Sequence, residues 1–150
     1  MVLYPNDYKI GTKEETELLP LIRSYFNRDI KKSESETARH DYFDDEFNYE
    51  LKTRKNAYNQ YSTTRITTDK LCGEKRLILI FNFTDGIYYI EYNKEKFAEY
   101  DLIMFSRTGF KCDTKENIEI PIKDLTFICS RENAYSKGTG CLLLHLVKPR

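Results

Sequence analysis

The strongest pattern along the chain is a nearly continuous apolar run, Arg76-Leu77-Ile78-Leu79-Ile80-Phe81-Asn82-Phe83. A run without alternation predicts a central strand covered on both faces. Asp85-Gly86 then predicts a tight hairpin turn into Ile87-Tyr88-Tyr89-Ile90-Glu91-Tyr92. Upstream, Leu18, Leu19, Ile22 and Phe26 recur at helical spacing. They predict a helix from near Lys13, with Thr12 and Thr16 as candidate caps and Glu14, Glu15 and Glu17 favouring the first turns. Pro20 demands either a later start or a kink.

Between these elements, Lys31 to Arg39 is polar and predicts a short strand leading into a turn. His40-Asp41-Tyr42-Phe43 and Phe47 to Arg54 flank Asp44-Asp45-Glu46, predicting a β-hairpin with an acidic turn. A short helix is expected from about Thr64 to Leu71, stopped by Gly73. Lys94 to Tyr100 predicts a short helix or turn. Strands are expected at Leu102–Phe105, Ile118–Ile122, Leu125–Cys129 and Cys141–Val147, with Pro121 confining its strand to an edge or a bulge. The expected class is α+β with a mixed sheet. With no internal repeat or low-complexity linker, residues 1–150 are expected to form one domain.

Composition narrows the function classes. No run of eighteen apolar residues exists, which excludes a helical membrane span, and no basic-then-apolar leader is visible. An intracellular protein, cytoplasmic or nuclear and not secreted, is the expectation. Cys72, Cys112, Cys129 and Cys141 contain no C-x-x-C pair, which argues against structural zinc. Two disulfides are arithmetically open, but reduced thiols partly buried in strands are favoured. Asn82-Phe83-Thr84 matches a glycosylation pattern inside an apolar strand and is read as coincidence. Gly138-Thr139-Gly140 lacks a phosphate-loop lysine, and His40 and His145 are too far apart in sequence to suggest a metal pair.

Lys+Arg and Asp+Glu both total 24, so the formal net charge is zero. Position matters more than the total. Glu34 to Glu50 carries seven acids against Arg39; Lys52 to Arg76 carries seven basic residues against Asp69 and Glu74. An acidic block beside a basic one can collect a metal next to a phosphate-binding rim. In that basic stretch Arg54, Lys55, Tyr61, Arg65 and Lys75 are the candidate nucleic-acid contacts, with Tyr58 and Tyr61 able to stack on bases.

Strand alternation points Glu50 and Lys52 to one side and Tyr49 and Leu51 to the other. If the preceding strand folds back through the acidic turn, Asp41 comes alongside Glu50. Two carboxylates can hold a hard divalent ion such as Mg²⁺, and a nearby lysine can orient water or neutralise developing charge. The bland alternative is a solvated cross-strand face.

Asp41, eight intervening residues and then Glu50-Leu51-Lys52 resemble the signature of the PD-(D/E)XK nucleases. His40 stands where the family's name has proline. The resemblance implies a restriction-endonuclease-like mixed β-sheet flanked by helices, an α/β-like core over about residues 12–83, and a C-terminal β-rich extension over 84–150. It implies Asp41 and Glu50 as metal ligands and Lys52 as catalytic lysine, with Mg²⁺ as cofactor and Mn²⁺ as substitute. A further ligand from the first helix is implied in some members; Glu15 is chosen, with Glu14 and Glu17 left open. Tyr61 to Ile66 followed by Lys70 is similar to a segment of phage and large-virus members, implying Lys70 as a catalytic neighbour. The partners so implied are nucleic acid, DNA ahead of RNA, and a second copy in a homodimer. The competing classes are a non-catalytic nucleic-acid or protein-interaction module on the same fold, and a host-directed interaction protein working through the Tyr-rich half from Ile87 onward.

Overall fold

The computed structural model describes residues 5–35, 38–106 and 108–135, with side chains described from 13 to 134 within them. The expected strand at Cys141–Val147, the Gly138-Thr139-Gly140 loop, Cys141 and His145 lie outside the described residues.

Helix α1 spans Pro5–Phe26, beginning well before the expected Lys13. A proline suits a first helical position, where its missing N–H would have no intrahelical partner. Pro20 removes one helical hydrogen bond, yet it sits on the exposed side while Leu18, Leu21 and Ile22 are buried. Burying each of those side chains stabilises by about 1.5–3 kcal/mol, enough to carry the helix through the proline. Asn27, at φ 54°, terminates it in the left-handed conformation that asparagine tolerates.

Three short strands then form an antiparallel meander: β1 (Lys31–Lys32), β2 (Tyr42–Phe43) and β3 (Phe47–Thr53). Next comes β4 (Thr63–Thr67), where a helix was expected. Its residues are mostly β-branched, and Thr64 and Ile66 are buried while their neighbours are not, the period of a strand. Only Thr68–Lys70 coils, as one 3₁₀ turn.

The apolar run forms β5 (Arg76–Asn82), followed by β6 (Gly86–Glu91), the short helix α2 (Lys94–Phe97), β7 (Leu102–Ser106), β8 (Thr114–Pro121), β9 (Thr126–Ser130) and the short helix α3 (Arg131–Tyr135). Six strands make a mixed sheet in the order β1-β2-β3-β5-β6-β9, with β3 and β5 parallel. The other three make an antiparallel sheet in the order β4-β8-β7. Pro121 therefore ends a central strand, not an edge strand; as the last residue it interrupts no bond inside the ladder.

Alternation along β5 builds two cores. Ile78 and Ile80, with Tyr49 and Leu51, pack toward Leu18, Leu21 and Ile22 of α1. Leu77, Leu79 and Phe81 pack toward Ile66, Ile118 and Ile120 of the second sheet. The molecule is α+β in three layers: helix, six-stranded sheet, three-stranded sheet. Cys72, Cys112 and Cys129 are free thiols, and only Cys129 is buried in a strand. Among the described residues no helix is long and apolar enough to cross a membrane.

Candidate functional site

The β2–β3 register pairs Tyr42 with Tyr49 and Phe43 with Asn48. The pairing ends there: Asp41, in a bend just before β2, donates its N–H to the Tyr49 carbonyl at 3.0 Å, and it lies close enough to Glu50 for its charge to act on that carboxyl. Asp41 Oδ2 accepts the Leu51 N–H at 2.9 Å, which fixes the carboxylate against β3. On its other side Glu50 lies beside Leu79 in the parallel β3–β5 register.

Glu50 is only 2% exposed. Its Oε2 stands 3.1 Å from Lys52 Nζ and 3.6 Å from Lys70 Nζ. Its Oε1 is buried with no hydrogen-bond partner. Burial first, and then the neighbouring Asp41 charge, push the Glu50 carboxyl up to about 7 against the pull of the two lysines.

The surrounding residues hold this arrangement. Lys70 Nζ donates to the Arg39 carbonyl at 2.8 Å, and Arg39 Nη1 donates to the Asp69 carbonyl at 2.8 Å. His40 Nε2 lies 2.9 Å from the Lys70 carbonyl, so that nitrogen carries the proton; burial lowers the imidazole pKa and favours its neutral form. Lys32 Nζ is 3.8 Å from Glu15 Oε1. Lys32, Arg39 and His40 were assigned no role from the sequence. They lie on a two-residue strand and an irregular segment, where no periodicity announces a neighbour; His40 adjoins Asp41, but strand alternation was expected to turn it to the opposite side.

Of the three helix glutamates, Glu15 stands in the field of both Asp41 and Lys52, and burial, then Asp41, raises its carboxyl. Glu14 is engaged elsewhere, accepting from Thr53 Oγ1 and from Asn82 Nδ2 at 3.1 Å and lying 3.4 Å from Arg131. Glu17 pairs with Lys13 at 3.8 Å on the surface.

The basic rim is not brought together. Arg54 turns inward: Nε donates to Thr64 Oγ1 at 3.1 Å, Nη2 donates to the Arg65 carbonyl, and the guanidinium lies 5.7 Å from the Phe81 ring. Burial, then Arg65, lowers its pKa to about 10. Lys75 donates to the Asp44 carbonyl at 2.6 Å, beyond Arg76, whose partner in β3 is Phe47. That places its backbone more than about 10 Å along the strands from Glu50. Arg65 lies 4.3 Å over the Phe105 ring, and Lys55 and Tyr61 are exposed. Tyr58 stacks on Tyr88 at 3.9 Å, which makes it structural.

The acidic block divides as well. Asp44 accepts from Arg28 Nε at 2.6 Å, Tyr49 Oη at 2.6 Å and the N–H groups of Phe47 and Glu46 at 2.7 and 2.8 Å. Burial alone would raise its carboxyl, but those donors outweigh burial and hold it well below the usual carboxylate range. Asp44, Asp45 and Glu46 thus serve the hairpin turn, and among the block's described residues Asp41 and Glu50 come together at the site.

Among the described residues no group of three or more His, Cys, Asp and Glu side chains is disposed to hold a metal ion. The donors present are a carboxylate pair, Asp41 and Glu50, with Glu15 beyond. A pair of hard oxygen ligands fits Mg²⁺, which keeps several waters and is bound by one or two carboxylates plus phosphate oxygens. The partnerless Glu50 Oε1 is the atom a cation would satisfy. No protein-family model, curated protein or solved structure matches the chain.

Proposed function

We propose that this chain is a divalent-metal-dependent nuclease of the PD-(D/E)XK type, hydrolysing phosphodiester bonds, in DNA ahead of RNA. The observation that carries this reading is Glu50: a buried carboxylate in the field of Asp41, with one oxygen unsatisfied and two ammonium groups on the other. Support from the fold is the order helix, three-stranded antiparallel meander and later parallel strand; the helix expected in the crossover of a restriction-endonuclease-like core is replaced by β4 and one 3₁₀ turn.

Asp41 and Glu50 would hold Mg²⁺ or Mn²⁺, with Glu15 as an outer carboxylate. When bound, such an ion supplies a Lewis acid and a more acidic water. The chain's own residues do the rest. Asp41 is oriented by the Leu51 N–H. Lys52, about one-third exposed, presents an ammonium beside Glu50, where it can orient water or meet charge developing on phosphate. Lys70, anchored by the Arg39 carbonyl, adds a second positive charge.

Glu50→Ala is expected to abolish cleavage in Mg²⁺. Lys52→Ala should slow it on the order of 10²–10³-fold, while circular dichroism shows both variants folded. Variants that cut plasmid, single-stranded DNA and RNA as fast as the parent would sink the proposal. A second reading, a non-catalytic interaction module, is favoured by the two lysines that already neutralise Glu50. Binding of Mn²⁺ at Asp41 and Glu50, followed by paramagnetic broadening, separates the two.

A further inference from the structure

Apolar burial holds a helix on a sheet without fixing its rotation or its height along the axis, because the effect has no direction. Helix α1 is held in this way by Leu18, Leu21 and Ile22. A directional contact is added one turn closer to its N-terminus. The Glu14 carboxylate, 13% exposed, accepts from three elements at once. Its Oε2 takes the Thr53 hydroxyl at the end of β3 and, at 3.1 Å, Asn82 Nδ2 at the end of β5. Its Oε1 lies 3.4 Å from Arg131 Nη2 of α3, whose Nη1 donates to the Phe83 carbonyl at 2.9 Å. Setting register is the best-attested use of such a poorly hydrated ion pair. With both oxygens occupied, Glu14 is not itself disposed to bind a metal.

Consecutive helical residues lie about 100° apart round the axis. With Glu14 fixed over the ends of β3 and β5, Glu15 comes round to the β1–β2 side of the sheet. Its contacts agree. Lys32 Nζ of β1 is 3.8 Å from its Oε1, Tyr42 Oη of β2 donates to its backbone carbonyl at 2.6 Å, and the Asp41 charge acts on its carboxyl. A slip of α1 by one residue would shift Glu15 by about 1.5 Å and turn it away by about 100°.

We propose that Glu14 is a positioning residue of the site: by locking the rotation and height of α1, it holds the Glu15 carboxylate beside Asp41. This rests on the nuclease reading, in which Glu15 is the outer carboxylate of a divalent-metal site. Glu14 touches neither metal nor substrate and acts through Glu15. Thr53 serves the same purpose from the sheet, since it directly follows Lys52 on the strand that presents Glu50.

The test is a double-mutant cycle read in the Mn²⁺ affinity of the full chain by titration calorimetry. Glu15→Ala is expected to weaken binding about tenfold, as loss of an outer carboxylate does. Glu14→Ala should weaken it about as much, and the double variant should bind no worse than Glu15→Ala alone. A merely structural role predicts the opposite, because independent effects multiply. Thr53→Val keeps shape and charge and covers the case in which Glu14→Ala fails to fold. It should cost about threefold in affinity with Glu15 present and nothing without it. Parent-like affinity in Glu14→Ala and Thr53→Val overturns the proposal, and so do losses that persist undiminished in the Glu15→Ala background. Binding that ignores Glu15→Ala also overturns it, while leaving Asp41 and Glu50 as ligands. A parent that binds no Mn²⁺ removes the nuclease reading itself, and this inference with it.

Discussion

Glu50 opposes folding at neutral pH. Its carboxyl rises from an ordinary 4.5 to about 7, which corresponds to on the order of 3 kcal/mol of disfavoured ionisation. Because the folded value is the higher one, the stability associated with its proton is complete below about pH 4.5. It is lost as pH rises through about 7. Glu50→Gln is therefore expected to melt higher than the parent at pH 8 and to converge with it near pH 4. A gain in Tm that ignores pH would contradict this. Lys52 and Lys70 are each about a third exposed, so water can solvate them when the carboxylate is gone. Mg²⁺ should raise the melting temperature of the parent at pH 8 and leave that of Glu50→Gln unchanged. At ten times Kd the stabilisation is about 1.4 kcal/mol.

At the scale of elements, the β2–β3 hairpin is held by its turn. Asp44 gathers four donors in a space it nearly fills, its side chain 3% exposed. Asp44→Asn should lower unfolding stability by about 2–4 kcal/mol in urea, since it leaves Arg28 and the turn N–H groups poorly matched. The folded carboxyl lies below its unfolded value, so its contribution is present above about pH 4 and disappears as pH falls further. The variant's deficit should therefore shrink in acid; a deficit constant with pH would argue against the charge as its cause. Elements with strong periodicity were legible before folding: α1, the β2–β3 hairpin, and the β5–β6 pair. The β4 strand was not read as one, although Thr63-Thr64-Arg65-Ile66-Thr67 carries a β-branched signal. Its proximity to Gly73 suggested a helix stop, and its partner β8 lies about fifty residues away, where no local rule can reach.

For the whole molecule, the zero net charge resolves into local accounts. The acidic turn is met by Arg28, Lys75 and Arg76, leaving Lys52 and Lys70 at Glu50 and Lys55 in solvent. Nucleic-acid affinity is expected to weaken with salt. Lys55→Ala should reduce the slope of log Kobs against log salt by about 0.7–0.9, whereas Lys75→Ala should leave it unchanged. Equal slopes for parent and Lys55→Ala would remove Lys55 from the interface. The neighbourhood of Glu50 and Lys52 was legible because it depends only on strand alternation, whereas Asp41 reaches them from a bend beyond the regular ladder. The fates of Arg54 and Lys75 were not, because they are decided by contacts with Thr64, Arg65 and Asp44 that sequence spacing does not encode.

The parallel register that seats Glu50 beside Leu79 and Lys52 beside Phe81 gives the site an uneven surrounding. One flank is hydrocarbon and polarises little; the other holds Asp41, half-buried, and the ammonium groups of Lys52 and Lys70. Field lines from Glu50 are therefore crowded away from the strand β5 side and toward those polar neighbours, as they are wherever a charge backs onto a low-dielectric wall. Strand β5 thus strengthens the interactions between Glu50 and its charged neighbours without contributing a polar atom to them.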